Sequence, residues 1–232
     1  MNLANNYIHN IKIGNTQVEK AILNGEVLFD STVVHGDLLH ATTAFDQTFV
    51  VPDNIYSVTV KIQGAGGSGS SAGNSTGTAR AGGGKAGQYV EYTIDVLPRQ
   101  TFVMAVGKGG VGVASVDAQG NIGEPSSFGA YSADGGAGGV VSTSYGTPAH
   151  FGQGANHAAS PYNGLVYHDG LMNSSAYGGE ASSKWHGGDG NRYDSPQGPI
   201  GGSSGSGGGA LMELGFGRVS GNGGDGFVHV YW

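Results

Sequence analysis

Between Tyr56 and Gly67 the chain passes directly from strand to glycine, and any fold it adopts must accommodate that switch. Tyr56, Val58, Val60 and Ile62 alternate with Ser57, Thr59 and Lys61, the period of a strand with one buried and one wet face. At Gly64 the pattern gives way to GAGGSGSSAGNSTGT. After Arg80 the run AGGGKAG leads into a second alternating stretch, Tyr89–Val96, in which Val90, Tyr92, Ile94 and Val96 share a face. A strand, a glycine excursion and a strand again is the unit of the chain.

The glycine is unevenly placed. Of 47 glycines only Gly14, Gly25 and Gly36 lie in the first sixty residues, leaving 44 beyond them. Glycine loses more backbone entropy on ordering than any other residue, so such a region stays disordered unless close backbone packing compensates. Polyproline II geometry offers that compensation. It has three residues per turn and no internal hydrogen bonds, so every backbone donor and acceptor is free for a neighbouring strand. The clusters 82–84, 135–139, 207–209 and 221–226 are expected to form an ordered raft of this kind, although the chain does not keep collagen's strict period of three. The competing expectation is a flexible Gly/Ser loop.

The rest of the chain is expected to be all-β. Residues 1–35 form a small β module: Ile11 and Ile13 precede a Gly14-Asn15 turn, Val18–Leu23 follows, and Asn24-Gly25 marks a hairpin into Val27–Phe29. Three short strands make a marginal core alone, so this module needs a partner. Asp30–Leu39 shows no period, and 36–43 is assigned as a connector. Residues 44–232 form a glycine-rich antiparallel β-sandwich with polyglycine II segments and long loops, loop-rich over 113–224. Its strands are expected at Ala44–Val51, from Tyr56, at Tyr89–Val96, over Phe102–Val106 as the hairpin partner across Leu97–Gln100, near Phe128, and at Phe227–Trp232.

The chemistry-bearing motifs fail on context. Gly64–Gly69 satisfies G-x-G-x-x-G after a strand, but Ser70–Thr78 is too poor in apolar residues to supply the helix that would hold a pyrophosphate. Gly201–Gly205 fits G-x-S-x-G without the strand and helix of a nucleophile elbow. GGDG at 187–190 and 223–226 lacks the spaced second aspartate of a calcium repeat. The eight histidines form no His-x-His or His-x-x-x-His pair, and the 17 acids show no spacing that selects two. No catalytic residue, metal ligand or cofactor is assigned, and the chain is expected not to be an enzyme.

The formal charge of −7 opposes nucleic acid and anionic lipid, and no Lys or Arg lies between Lys108 and Lys184. The absence of cysteine suits a reducing cytosol. MNLANNYIHN does not resemble a signal peptide, and no apolar run approaches the ~20 residues of a bilayer span, so neither secretion nor membrane insertion is expected. One diffuse constellation stands out. Tyr145, His150, Phe151, Tyr162, Tyr167, His168, Tyr177, Trp185, His186 and Tyr193 sit among Gly, Ser, Ala and Asn. Rigid aromatics beside small adaptable polars make contact area at low entropic cost, as in antibody binding loops.

The order of phrases FVVPDNIYSVTVKIQGAGGSG (49–69), AGGGKAGQYVEYTIDVLPRQTFVMAVGKGG (81–110), PSSFGAYSADGGAGG (125–139) and GNGGDGFVHVYW (221–232) resembles the glycine-rich tip domains of bacteriophage tail fibres. NIKIGNTQVEKAILNGEVLF (10–29) is similar to short modules of phage virion proteins, while the Trp-rich attachment region of T-even tip adhesins is missing. The resemblance implies a virion tail or fibre protein made in the host cytoplasm. It implies recognition of a bacterial surface receptor, an outer-membrane protein or glycan, through loops bearing Tyr145, His150, Phe151, Tyr162, Tyr167, Trp185, His186 and Tyr193. Residues 1–35 would contact other virion proteins, and a homotrimer is compatible. The alternatives are a structural or decorating virion protein and a polysaccharide depolymerase.

Overall fold

The computed structural model describes residues 36–40, 46–72, 80–115, 117–142, 205–209 and 219–232, with the backbone of strands at 11–13, 16–18, 20–23, 26–30, 166–168, 174–176 and 211–212. Among the described residues all regular structure is β. The chain opens with β1 (Ile11–Ile13), β2 (Thr16–Val18), β3 (Lys20–Leu23) and β4 (Glu26–Asp30). It continues with β5 (Asp37–His40), β6 (Gln47–Val50), β7 (Ser57–Gln63), β8 (Ser71–Ala72), β9 (Arg80–Ala81), β10 (Tyr89–Asp95), β11 (Thr101–Ala105), β12 (Ser126–Phe128) and β13 (Tyr131–Ala133). The last are β14 (Val141–Ser142), β15 (Val166–His168), β16 (Ser174–Ala176), β17 (Leu211–Met212) and β18 (Phe227–Tyr231).

Two antiparallel four-stranded sheets, in the orders β10-β7-β18-β5 and β13-β12-β11-β6, make a sandwich. The alternation of β7 turns Val58, Val60 and Ile62 inward, joined by Ile94 from β10 and by Val228 and Val230 from β18. Phe49, Met104, Phe128 and Ala133 meet them from the other sheet. Phe128 is fully buried, stacked on Phe102 at 4.6 Å between ring centroids and tilted against Phe49 at 5.9 Å. A buried ring of this size contributes about 1.5–3 kcal/mol. Trp232 closes one side against Phe49, and Tyr92 with Tyr131 closes the other.

Four sequence expectations change. Phe102–Val106 is a strand, but β11 pairs with β6 and β12 instead of β10. Alternation fixes which face of a strand is buried and says nothing of its partner. The four residues Leu97–Gln100, with Arg99 at φ 66°, carry the chain from one sheet to the other, so Val96 and Val106 enter the same core from opposite sides. Asp37–His40, without period, is nevertheless the edge strand β5, held by the ladder of β18 and by the reciprocal bonds of Gly36 with Trp232, each 3.0 Å. The region around Phe128 is a hairpin, β12 to β13, turned at Gly129 with φ +56°. At the N-terminus the run Val18–Leu23 divides between β2, paired with β1, and β3, which pairs with β4 across Asn24-Gly25 as the turn chemistry predicts.

Beyond the sandwich the strands do not end; they change geometry. From Gly64 the backbone donors of one segment point in three directions in turn. Gly64, Gly67 and Ser70 donate to the carbonyls of Gln88, Lys85 and Gly82, and Ala65, Ser68 and Ser71 donate to those of Glu124, Asn121 and Ala118. Gly66 and Gly69 donate to Gly224 and Gly221, with all eight bonds between 2.8 and 3.1 Å. A repeat every third residue is the three-residue turn of polyglycine II. The carbonyls of the same segment accept from Gly136 and Gly139, from Gly110 and from Gly208. The segment 64–71 therefore has six neighbours: 82–88, 118–124 and 220–226 accept from it, while 134–140, 107–113 and 205–209 donate to it.

The six neighbours also bond to one another and close a ring. Lys85 donates to Ala137, Gly123 to Gly136, Glu124 to Lys108, Gly223 to Gly110, Gly205 to Asp225, and Gly84 to Gly208. The result is a hexagonal bundle of seven polyglycine II strands whose centre is wholly buried. Close approach is what demands glycine here. A Cβ on Gly66 would fall on the carbonyl of Ser206, and one on Gly87 on the carbonyl of Gly64. Only Gly129 and Gly205 among the described glycines take positive φ. All four glycine clusters expected to form a raft lie in the bundle, and the flexible-loop expectation fails for them.

Candidate functional site

The register between sandwich and bundle is set by three polar side chains. Gln63 Nε2 donates to the Gly87 carbonyl at 2.8 Å, Gln88 Oε1 accepts from the Asp134 N–H at 3.0 Å, and Ser126 Oγ accepts from the Gly107 N–H at 3.0 Å. Each is the first residue past a ladder or the last within one, where a backbone donor or acceptor would otherwise lose its partner. The segment 107–113 is held similarly along its length. Asp225 Oδ1 accepts from Gly109, Asn222 Oδ1 from Gly112 and Ser220 Oγ from Val113, at 2.7, 2.7 and 2.9 Å. The second GGDG is thus part of the bundle, its carboxylate taken up by a backbone donor. The G-x-G-x-x-G at 64–69 is the central strand, its N–H groups spent on neighbouring carbonyls.

Because ring neighbours run antiparallel, all seven strands share one end at the sandwich and one distal end. The excursions 73–79, 114–117 and 210–218 leave and re-enter at the distal end. The segment 143–204 leaves there too, after β14, and returns at Gly205 beside the sandwich, where Gly205 meets Gly87 and Asp225. Short strands tie the distal end together. β8 pairs with β17, β9 pairs with β14, and β16 runs parallel to β9 through Ser175 and Ala81.

That pairing brings in one of the eight candidate residues. Tyr167 lies in β15, opposite Ser175 of β16, so its backbone belongs to a hairpin fixed to the distal end of the bundle. His168 is its neighbour, opposite Ser174. Tyr145, His150, Phe151, Tyr162, Trp185, His186 and Tyr193 lie outside the described residues.

Elsewhere the titratable groups serve the sandwich. Tyr89 is pushed up to about 12, first by burial and then by the charge and hydrogen bond of Glu91. Exposed Asp53 is lowered by its hydrogen bond and charge interaction with Arg99, at 2.8 Å. His229, expected to be a strand residue, bridges Asp37 at 2.9 Å and the Tyr231 hydroxyl at 2.8 Å across the outer face of the sheet. Among the described residues no group of three or more His, Asp or Glu could hold a metal.

Sequence reasoning missed the central role of 64–71 and the segments 107–113 and 118–124. A signal was present: DGGAGGV at 134–140 keeps a local period of three, with side chains only at Asp134, Ala137 and Val140. Those three are exposed, and the glycines between them are partly or fully buried.

Together these features define a glycine-rich all-β domain in which a sandwich continues into a bundle of polyglycine II strands. The sequence matches the family described as "Glycine-rich domain" across residues 41–232, and the chain belongs to that family. No curated protein matches it.

Proposed function

We propose that this protein is a receptor-recognising component of a bacteriophage tail or fibre, binding the bacterial surface through the loops at the distal end of the bundle. The observation that carries this reading is topological: every excursion from the bundle begins at the end opposite the sandwich, and the aromatic-rich segment 143–204 is one of them. Loops held on a rigid scaffold are where binding usually sits. A seven-strand bundle fixed by backbone bonds tolerates change in the excursions without change in itself.

The N-terminal module serves attachment. Its hairpins β1–β2 and β3–β4 are separate two-stranded sheets, a form that is marginal alone and gains stability when a partner strand is added at an edge. Such a strand from a neighbouring virion protein would complete the module.

Two variants test the division of roles. Replacing Trp185, Tyr167 and Tyr193 with Ala is expected to abolish binding to bacterial cells by particles that still incorporate the protein. Removing residues 1–30 is expected to leave cell binding by the free domain intact and to prevent incorporation. Normal binding by the triple variant would overturn the reading, as would incorporation of the truncated chain. Release of oligosaccharide from host polysaccharide would move the assignment to a depolymerase.

A further inference from the structure

The ring of six strands around 64–71 has two unlike flanks. On one, Gly82, Gly83, Gly84, Ala86 and the whole of 205–209 are buried. On the other, formed in ring order by 220–226, 107–113, 118–124 and 134–140, each strand exposes a residue at every third position, and 118–124 exposes Asn121 and Glu124 in addition. The outward positions are Val219, Asn222 and Asp225; Lys108, Val111 and Ala114; Gln119, Ile122 and Pro125; Asp134, Ala137 and Val140. This is the threefold turn of polyglycine II seen from outside. Every outward position carries a side chain. The positions facing other strands of the bundle are mostly glycine, because a Cβ there strikes a backbone carbonyl.

A polyglycine II bundle has an edge problem akin to that of a sheet. On the exposed flank no described strand lies outside the ring; the donors of Gly109, Gly112 and Val113 are already taken by Asp225, Asn222 and Ser220, and it is beside 118–124 and 134–140 that another glycine strand could continue the same bonding outward. The exposed apolar side chains Val111 and Ile122, 57% and 71% exposed, stand on adjacent strands and bury little of their own surface. Asn121 Nδ2 donates to the Val111 carbonyl at 2.6 Å, which fixes the two strands side by side.

We propose that these outward side chains stop the bundle from growing sideways. Spaced one turn apart, they occupy the ground on which a glycine strand from a second copy of this chain would have to lay its backbone. The bundle ends at this flank because glycine ends there.

The test compares the wild-type chain with two triple variants, Val111→Gly, Gln119→Gly, Ile122→Gly and Val111→Ala, Gln119→Ala, Ile122→Ala, by size-exclusion chromatography with light scattering across a concentration series. Only the glycine variant lacks the Cβ atoms, so it alone is expected to grow beyond the wild-type mass as concentration rises, to at least twice that mass. A glycine variant that keeps the wild-type mass overturns the proposal, and so does an alanine variant that grows equally. If the glycine triple loses its cooperative melt, the double variant Gln119→Gly, Ile122→Gly is read in the same way against its alanine counterpart. A wild-type oligomer that Val111→Ser with Ile122→Ser dissolves would make this flank an apolar interface, and would also overturn it.

Discussion

The sandwich and the bundle are built from the same strands, yet they are held by different forces. β7 runs through the sandwich as Val58, Val60 and Ile62 and leaves as the central bundle strand from Gly64. Below the junction the chain is secured by apolar burial, which is non-directional and tolerates small changes of shape. Above it the chain is secured by backbone hydrogen bonds in six directions, at separations that leave no room for a single carbon. The sandwich can adjust its side chains to a neighbour. The centre of the bundle, 64–71, carries no side chain larger than serine with which to adjust.

A one-carbon change on each side of the junction gives the sharpest contrast. Ile62→Val removes one carbon from the sandwich core and is expected to cost about 0.5–1.5 kcal/mol. Gly66→Ala adds one carbon against the Ser206 carbonyl and is expected to cost about 3 kcal/mol, the upper end of ordinary overpacking, because a backbone group cannot rotate away. Chemical denaturation of both variants measures the difference. Equal costs would mean that the bundle relaxes like a side-chain core, and the contrast would collapse.

The junction itself should show an intermediate effect. Ser126 is fully buried and its Oγ accepts from the Gly107 N–H, so Ser126→Ala leaves that donor without its acceptor. The expected loss is about 1–3 kcal/mol. An unchanged denaturation midpoint would show that the register between sandwich and bundle does not depend on this bond.

The smallest effect concerns pH and should be confined to the sandwich. Tyr89 titrates in the folded protein at about 12, above the value of about 10 expected when unfolded. The fold therefore favours the neutral phenol. Its contribution is fully present below pH about 10 and is lost as the pH rises from about 10 to about 12. Tyrosinate absorbance should show a late-titrating component that Tyr89→Phe removes, with little change in melting temperature at neutral pH. Loss of that component without this substitution, in Gly66→Ala, would instead place the shift under the control of the bundle.

The alternation at Tyr56–Gln63 and Tyr89–Val96, the Asn24-Gly25 turn and the glycine asymmetry were legible in the residues, because face, turn type and close approach are local demands. The same locality made the accidental motifs at 64–69 and 223–226 dismissible, since no helix or second aspartate accompanied them. Partner choice was not legible. That β11 crosses to the other sheet, that aperiodic Asp37–His40 lies beside β18, and that 64–71 is the centre of a seven-strand bundle depend on contacts between residues far apart in the chain. A polyglycine strand carries the same backbone groups on every side, so its sequence announces that neighbours are needed without naming them. The candidate loops were legible only as aromatics among small residues. It is the topology that anchors β15, and with it Tyr167, at the distal end, because only the closed ring of backbone bonds determines which ends of the strands lie together.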